Sequence, residues 1–207
     1  MALYQQPVAV QTRHLTAPGV RIQYPSVTGL ANQAAEDSIN RTIYKVVHTL
    51  QQAQQKVQTG SNMEMTGHYE IKTNERGILS LLLSNYAYSY PMAHGNTLAK
   101  SLTFDANTGR LYSLSDLFKP GADYVEAISR EISGQLRQRD LQLLHGFSAI
   151  KPDQDYYLAD KALVLYFQLY EITPYYVGMP MFPLSVYDVL PLAPDSSPLS
   201  KLAVDVV

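Results

Sequence analysis

Between Asn32 and Val57 the apolar residues recur in steps of three and four: Ala35, Ile39, Ile43, Val46 or Val47, Leu50, Ala53 and Val57. That spacing lines one face of an α-helix. Asn32 stands where a capping side chain is needed, and Glu36 and Asp37 lie near the N-terminus, where the helix dipole favours them. The glutamine-rich tract Gln51–Gln58 keeps the periodicity and reads as the wet face of the same helix. From Asn62 the period changes to two. Met63–Thr73 and Gly77–Tyr90 read as a hairpin turning at Asn74–Gly77, with Leu79, Leu81 and Leu83 on one face and Tyr86, Tyr88 and Tyr90 on the other. Asn96–Asp105 follows as a third alternating strand after the loop Pro91–Gly95. A second helix is expected from about Asp123, with Val125, Ile128, Ile132 and Leu136 on one face.

The most apolar alternation lies in Lys161–Tyr170, where Leu163, Leu165, Phe167 and Leu169 share a face and the opposite face is nearly as apolar. Such a strand belongs in the middle of a sheet covered on both sides, and we expect it in one mainly antiparallel sheet with Gly77–Tyr90. Short turns between strands and two amphipathic helices to cover the sheet make the fold class α+β. Upstream, residues 7–24 are polar and β-prone and end in Arg21–Tyr24, read as an edge strand stopped by Pro25. Downstream, the Pro- and Ser-containing stretch Pro191–Pro198 reads as a loosely held tail.

Composition narrows the function. With 16 basic and 18 acidic residues, net charge −2 and no basic run, nucleic acid is excluded as a main partner. No segment approaches the roughly 20 apolar residues of a membrane span. The start, MALYQQPVAV, lacks the basic and apolar segments of a secretory signal. Without cysteine there are no disulfides and no thiolate metal sites, and the five histidines show no ligand spacing; we expect no metal and no cofactor.

The strongest binding surface in the sequence is the loop after the core strand. Pro174, Tyr175, Tyr176, Gly178, Met179, Pro180 and Phe182 combine aromatic and thioether side chains with two prolines that stiffen the backbone. Tyr and Met bury large area at modest entropic cost, and a stiff loop loses less freedom on binding. Folding of this loop onto its own core is the competing reading. His94, between Ala93 and Gly95, suits a ligand contact or a general base, but a turn histidine bonding a nearby carbonyl is the favoured reading. Tyr90, with Tyr86 and Tyr88, reads either as a platform for sugar rings or as cross-strand packing under a helix. Glu171 reads as an anchor of its own loop's backbone. The alternative is an enzyme acting on cell-wall glycan, with His94, Asp105 and Glu171 converging in a cleft.

The sequence also resembles a known family. Tyr24-Pro25, Gly29-Leu30-Ala31-Asn32, Ile39-Asn40, Gly77-Ile78-Leu79-Ser80, Ala93-His94-Gly95, Leu102-Thr103-Phe104-Asp105 with Thr108-Gly109, and Asp116-Leu117-Phe118 stand in the family's order. Tyr166-Phe167, Tyr170-Glu171-Ile172, Pro174-Tyr175, Gly178, Pro180 and Phe182 complete the pattern. The chain resembles the extracytoplasmic domain of lysozyme-sensing anti-sigma factors, a unit that also precedes the catalytic domain of some peptidoglycan polysaccharide deacetylases. Where the family commonly has Gly-Gly before Ala-His, this chain has Pro91-Met92.

The resemblance implies an extracytoplasmic setting, secreted or at the cell surface, with any signal or anchor outside this sequence. It further implies a non-catalytic binding or sensing module whose partner is lysozyme or a peptidoglycan fragment. Its extent divides the chain into an N-terminal extension (1–19), a strand–helix–strand part (20–75), a C-terminal α+β part packed with it (76–190) and a tail (191–207).

Overall fold

The structure, a computed structural model, describes residues 7–204. The first six residues of the expected extension and the last three of the expected tail lie outside the described residues. The chain divides into two compact units, Met1–Leu111 and Tyr112–Val207, and the fold is α+β.

In the first unit, β1 (Ala9–Ala17), β2 (Val20–Thr28), β3 (Ser61–Glu75), β4 (Ile78–Tyr90) and β5 (Asn96–Asp105) form one sheet in that order. All pairs are antiparallel except β2–β3, which run parallel over Val20–Ile22. The β3–β4 hairpin turns at Arg76-Gly77, both in the left-handed region at φ 52° and 72°. A boundary at residue 75 would cut this hairpin, so the units part after Leu111 instead. Helix α1 (Gln33–Val57) crosses between β2 and β3, with the Asn32 side chain accepting from the Ala35 N–H at 3.2 Å. Its Ile39, Ile43, Val47 and Leu50 pack on Leu79, Leu81, Leu83 and Ala87 of β4 in one core.

Three sequence expectations change here. The β-prone stretch is two strands, and the edge is residues 9–17, inside the expected extension, while β2 is interior. Pro25 does not stop β2. The N–H of Val27, two residues on, bonds the side-chain oxygen Oδ1 of Asn40 at 2.8 Å rather than a strand. The nitrogen of Pro25 faces the same way, so its missing N–H removes no ladder bond. The third change concerns the glutamine tract. The buried stripe of α1 continues to Gln54, and buried Gln58 follows, whereas Val57 is exposed.

In the second unit, β6 (Tyr156–Ala159), β7 (Ala162–Tyr166) and β8 (Met181–Ser185) form a separate antiparallel sheet with β7 central. The helices are α2 (Tyr124–Gln138), α3 (Val186–Val189) and α4 (Pro198–Ala203). Ile128, Ile132 and Leu136 are the buried apolar positions of α2. Leu163, Leu165 and Tyr166 are fully buried, so β7 is core as expected, but it does not share a sheet with β4. It is also shorter than its apolar run. The chain turns at Gln168–Glu171, where the Glu171 carboxylate accepts from the Gln168 N–H at 2.8 Å and Tyr170 adopts φ 64°. The stretch after Pro191 is not loose. Pro198, Leu199 and Leu202 are buried, and the Ser197 hydroxyl donates to the Leu117 carbonyl at 2.7 Å.

Candidate functional site

Residues 167–180 leave the central strand of the second unit and return beside it. The Phe167 N–H bonds the Pro180 carbonyl at 3.2 Å, immediately beyond the Tyr166–Met181 register pair, which closes the segment as a compact Ω-type loop. Glu171 anchors it from inside. Besides Gln168, its carboxylate meets the Lys151 ammonium at 2.8 Å. That hydrogen bond, reinforced by the carboxylate's charge, holds the Lys151 pKa above its ordinary value. The Leu144 N–H adds a bond to the Ile172 carbonyl at 3.0 Å.

On this frame the candidate residues separate. Phe182 is fully buried, edge-on to Phe167 at 5.7 Å and under the Arg139 guanidinium at 5.0 Å. Pro180 is buried as well. These two are core and present nothing to a partner, because β8 begins at Met181 and turns Phe182 inward. Pro174 starts a single 3₁₀ turn, Tyr175–Val177, closed by Gly178 at φ 79° and ψ −149°, a region that only glycine enters easily. Tyr176 is 73% exposed at its tip, with its hydroxyl donating to Gln142. Tyr175 is half-buried, 5.7 Å from the ring of exposed Tyr170, and Met179 is half-buried. Tyr170 and Tyr176 are thus exposed on a framed loop, and exposed Leu144 stands on the separate segment whose N–H bonds Ile172; neither Tyr170 nor Leu144 reads as a surface residue in the sequence, because only the turns display them.

His94 and Tyr90 belong to the first unit. His94 is exposed, its Nδ1 2.8 Å from the Gly95 carbonyl. It precedes the first residue of β5, and Asp105 ends that strand, so about 30 Å of extended chain separates them. Asp105 accepts from the N–H groups of Asn107 and Thr108 at 2.9 and 3.0 Å and shapes that turn. No acid–base pair of His94 and Asp105 exists, and Glu171 is committed to its own loop. Tyr86, Tyr88 and Tyr90 lie on the face of β4 opposite α1, so they do not pack under that helix.

Their end of β4 is set from below by the buried glutamines. Gln54 donates to the carbonyls of Asn85 and Asn96 at 2.6 and 2.8 Å, and Gln58 accepts from the N–H and hydroxyl of Ser89 at 2.9 and 3.2 Å. A cavity of about 10 Å³ near Ser84 and Asn85 has room for about one water and is no ligand site. Among the described residues no three metal-ligating side chains converge, and no helix is long and apolar enough to cross a membrane.

Comparison with known proteins agrees with the two-unit division. A family model described as deacetylase PdaC matches residues 15–97, inside the first unit, and one described as a protein of unknown function, DUF3298, matches 115–187, inside the second. The chain is 28% identical over 184 residues to the anti-sigma-V factor RsiV of Bacillus subtilis, covering 79% of this chain and 61% of RsiV. It is 24% identical over 157 residues to the peptidoglycan-N-acetylmuramic acid deacetylase PdaC of the same species, covering 71% of this chain and 33% of PdaC. It therefore spans less than two thirds of either relative. A DUF3298 family protein of Pseudomonas aeruginosa superposes with a TM-score of 0.69 at 15% identity over 95% of this chain and 97% of its own. One from Bacteroides fragilis gives 0.66 at 15% identity, covering 97% and 98%, and both show the same fold.

Proposed function

We propose, from the premise that the chain belongs to the domain family shared by RsiV and PdaC, that it is a non-catalytic binding or sensing module of the cell exterior. Its partner is a protein such as lysozyme, or a cell-wall glycan fragment, met by the accessible part of the Pro174–Met179 segment. The observation that carries this reading is Tyr176: a large ring 73% exposed at the tip of a loop closed at its ends and anchored by Glu171. Exposed aromatic side chains on a pre-organised frame make binding anchors, because little freedom is lost when they are covered.

Calorimetric titration of lysozyme, and separately of soluble peptidoglycan fragments, into wild type and a Tyr175→Ala/Tyr176→Ala variant tests it. The variant is expected to keep its fold and to lose more than about 1 kcal/mol of binding per ring. Absence of binding to either ligand by wild type removes this reading. Equal binding by both proteins places the surface elsewhere.

A further inference from the structure

The first unit carries a second exposed aromatic surface, on a strand instead of a loop. Tyr86 and Tyr90 are 45% and 65% exposed, and half-exposed Tyr88 lies between them on the same face of β4. Alternate residues of a strand point the same way, so the three rings form a row about 13 Å long. Tyr69, Tyr124, Tyr156, Tyr157, Tyr176 and Tyr187 each place their hydroxyl on a protein partner. The hydroxyls of Tyr86, Tyr88 and Tyr90 have no hydrogen-bond partner among the described residues. Tyr86 is braced, its ring resting where Gly95 would carry a β-carbon. The strand end beneath the row is fastened by Gln54 and Gln58.

The neighbours of the row define its chemistry. Directly opposite Tyr86 stand Thr66 and Thr97, opposite Tyr88 stands Glu64, and opposite Tyr90 stands Ser61. Residues facing each other across a ladder share a face, so the row is bordered by hydroxyls and one carboxylate. None of these directly opposing residues is basic; Arg21 stands on the same face one strand further out, opposite Thr66, so the row itself offers a polyanion no adjoining cation. Neither Met nor Arg, which accompany Tyr at the centre of protein interfaces, stands directly opposite the row.

From this we infer that Tyr86, Tyr88 and Tyr90 form a stacking platform for an uncharged linear glycan of pyranose rings. The negative face of a tyrosine ring attracts the weakly positive axial C–H groups of a sugar. The free phenols and the bordering hydroxyls and carboxylate take the sugar hydroxyls. A row of rings along an extended strand matches an extended chain of a few sugars. This surface is independent of the Pro174–Met179 loop and does not rest on that loop's role.

The test is titration of chitohexaose, and in parallel cellohexaose, into isotope-labelled protein while following backbone amide shifts, with affinities from calorimetry. Saturable shifts are expected at residues 84–97. Tyr88→Ala/Tyr90→Ala is expected to weaken binding at least ten-fold while the remaining amide spectrum is retained. Tyr88→Phe/Tyr90→Phe keeps the stacking faces and is expected to weaken it only a few-fold. No shift with either hexaose at millimolar concentration overturns the proposal, as do shifts confined to residues 170–180 or unchanged affinity in the double alanine variant. Should that variant fail to fold, the wild-type shift map and the phenylalanine variant decide.

Discussion

The ring of Tyr86 occupies the space in which Gly95 would carry a β-carbon. Gly95 is not among the glycines with positive φ, so its backbone would accept alanine, and the three atoms nearest the added carbon all belong to the Tyr86 side chain. Gly95→Ala should therefore destabilise the first unit by about 1–3 kcal/mol, the usual range for overpacking. Because the ring is part-exposed, its swinging aside sets the lower end. Tyr86→Ala should remove most of that penalty, and a double-mutant cycle in urea measures the coupling. A Gly95→Ala cost unchanged by Tyr86→Ala would show that the two do not compete for space.

Gln54 has no exposed surface and joins α1 to the backbone at the end of β4 and the start of β5. Its carbonyl oxygen also accepts from the Asn96 side chain at 3.2 Å. Gln54→Leu keeps the volume but leaves the buried Asn85 carbonyl and the part-buried Asn96 carbonyl short of a donor, which costs about 1–3 kcal/mol for the first and less for the second. Thermal unfolding should fall by several degrees, and amide exchange at residues 85–97 should rise more than at the β3–β4 turn. Uniform acceleration across the sheet would mean that the amide contributes only to global stability.

Much of this architecture is legible from periodicity, and its failures have local causes. The α1 stripe, the hairpin and the α2 face follow from spacing alone, because burial is their dominant energy. The Gln51–Gln58 tract misleads because composition marks glutamine as wet, whereas position places Gln54 and Gln58 in register with Leu50 on the buried face. In Lys161–Tyr170 the alternation outlasts the strand, since Glu171 closes a turn by a side-chain bond that periodicity does not encode. The candidate loop is legible as aromatic and stiff. Which of its residues face outward depends on where β8 starts, so Phe182 and Tyr176 look alike in sequence and end on opposite sides. The Tyr86–Tyr90 row is visible in sequence; only the placement of α1 on the other face shows that it is uncovered.

Two groups make the second unit sensitive to alkali. Burial, followed by the nearby Asp153 charge, raises the Tyr124 pKa, and the Glu171 carboxylate raises that of Lys151. In both cases the folded state holds its proton more tightly than the unfolded chain. The stabilisation is therefore complete below about pH 10, where the unfolded groups titrate, and is lost as pH rises through the folded values. Tyr124 also donates to the Pro152 carbonyl at 2.9 Å, a bond that ionisation abolishes. Denaturation at pH 8 to 11 should show the wild type losing more stability than Tyr124→Phe/Lys151→Met. Parallel profiles would assign the alkaline sensitivity to other groups; Lys151 is largely exposed, so its share is small.

A change in the core strand of the second unit should be felt strongly. Leu165 is fully buried and pairs with Tyr156 and Phe182 on either side. Leu165→Ala is expected to cost about 2–5 kcal/mol, depending on how far the site collapses. An unchanged thermal midpoint would show that β7 is not the centre of this unit.

The end of the chain gives the sharpest contrast between composition and position. Pro191, Pro194, Pro198 and the serines among them look like breakers, yet Ser197-Pro198 is a helix start: a capping serine before a proline whose missing N–H is not needed there. The Ser197 hydroxyl both accepts from the Leu199 N–H at 3.2 Å and donates to the Leu117 carbonyl, and Leu199 and Leu202 fill the space beneath. Lys119 reaches the same stretch, its N–H bonding the Leu192 carbonyl at 2.8 Å and its ammonium the Pro191 carbonyl at 2.9 Å. A loosely held tail would tolerate Leu199→Ala within about 0.5 kcal/mol, as surface positions do. A packed one should lose about 2–5 kcal/mol. Ser197→Ala should cost about 1 kcal/mol from the lost cap and more if the Leu117 carbonyl is left unpaired. Hydrogen exchange read by mass spectrometry separates the two outcomes. In the packed case, Leu199→Ala raises exchange around Leu114–Phe118 as well as in α4. Exchange confined to residues after 197 would restore the view of a tail that merely follows the fold.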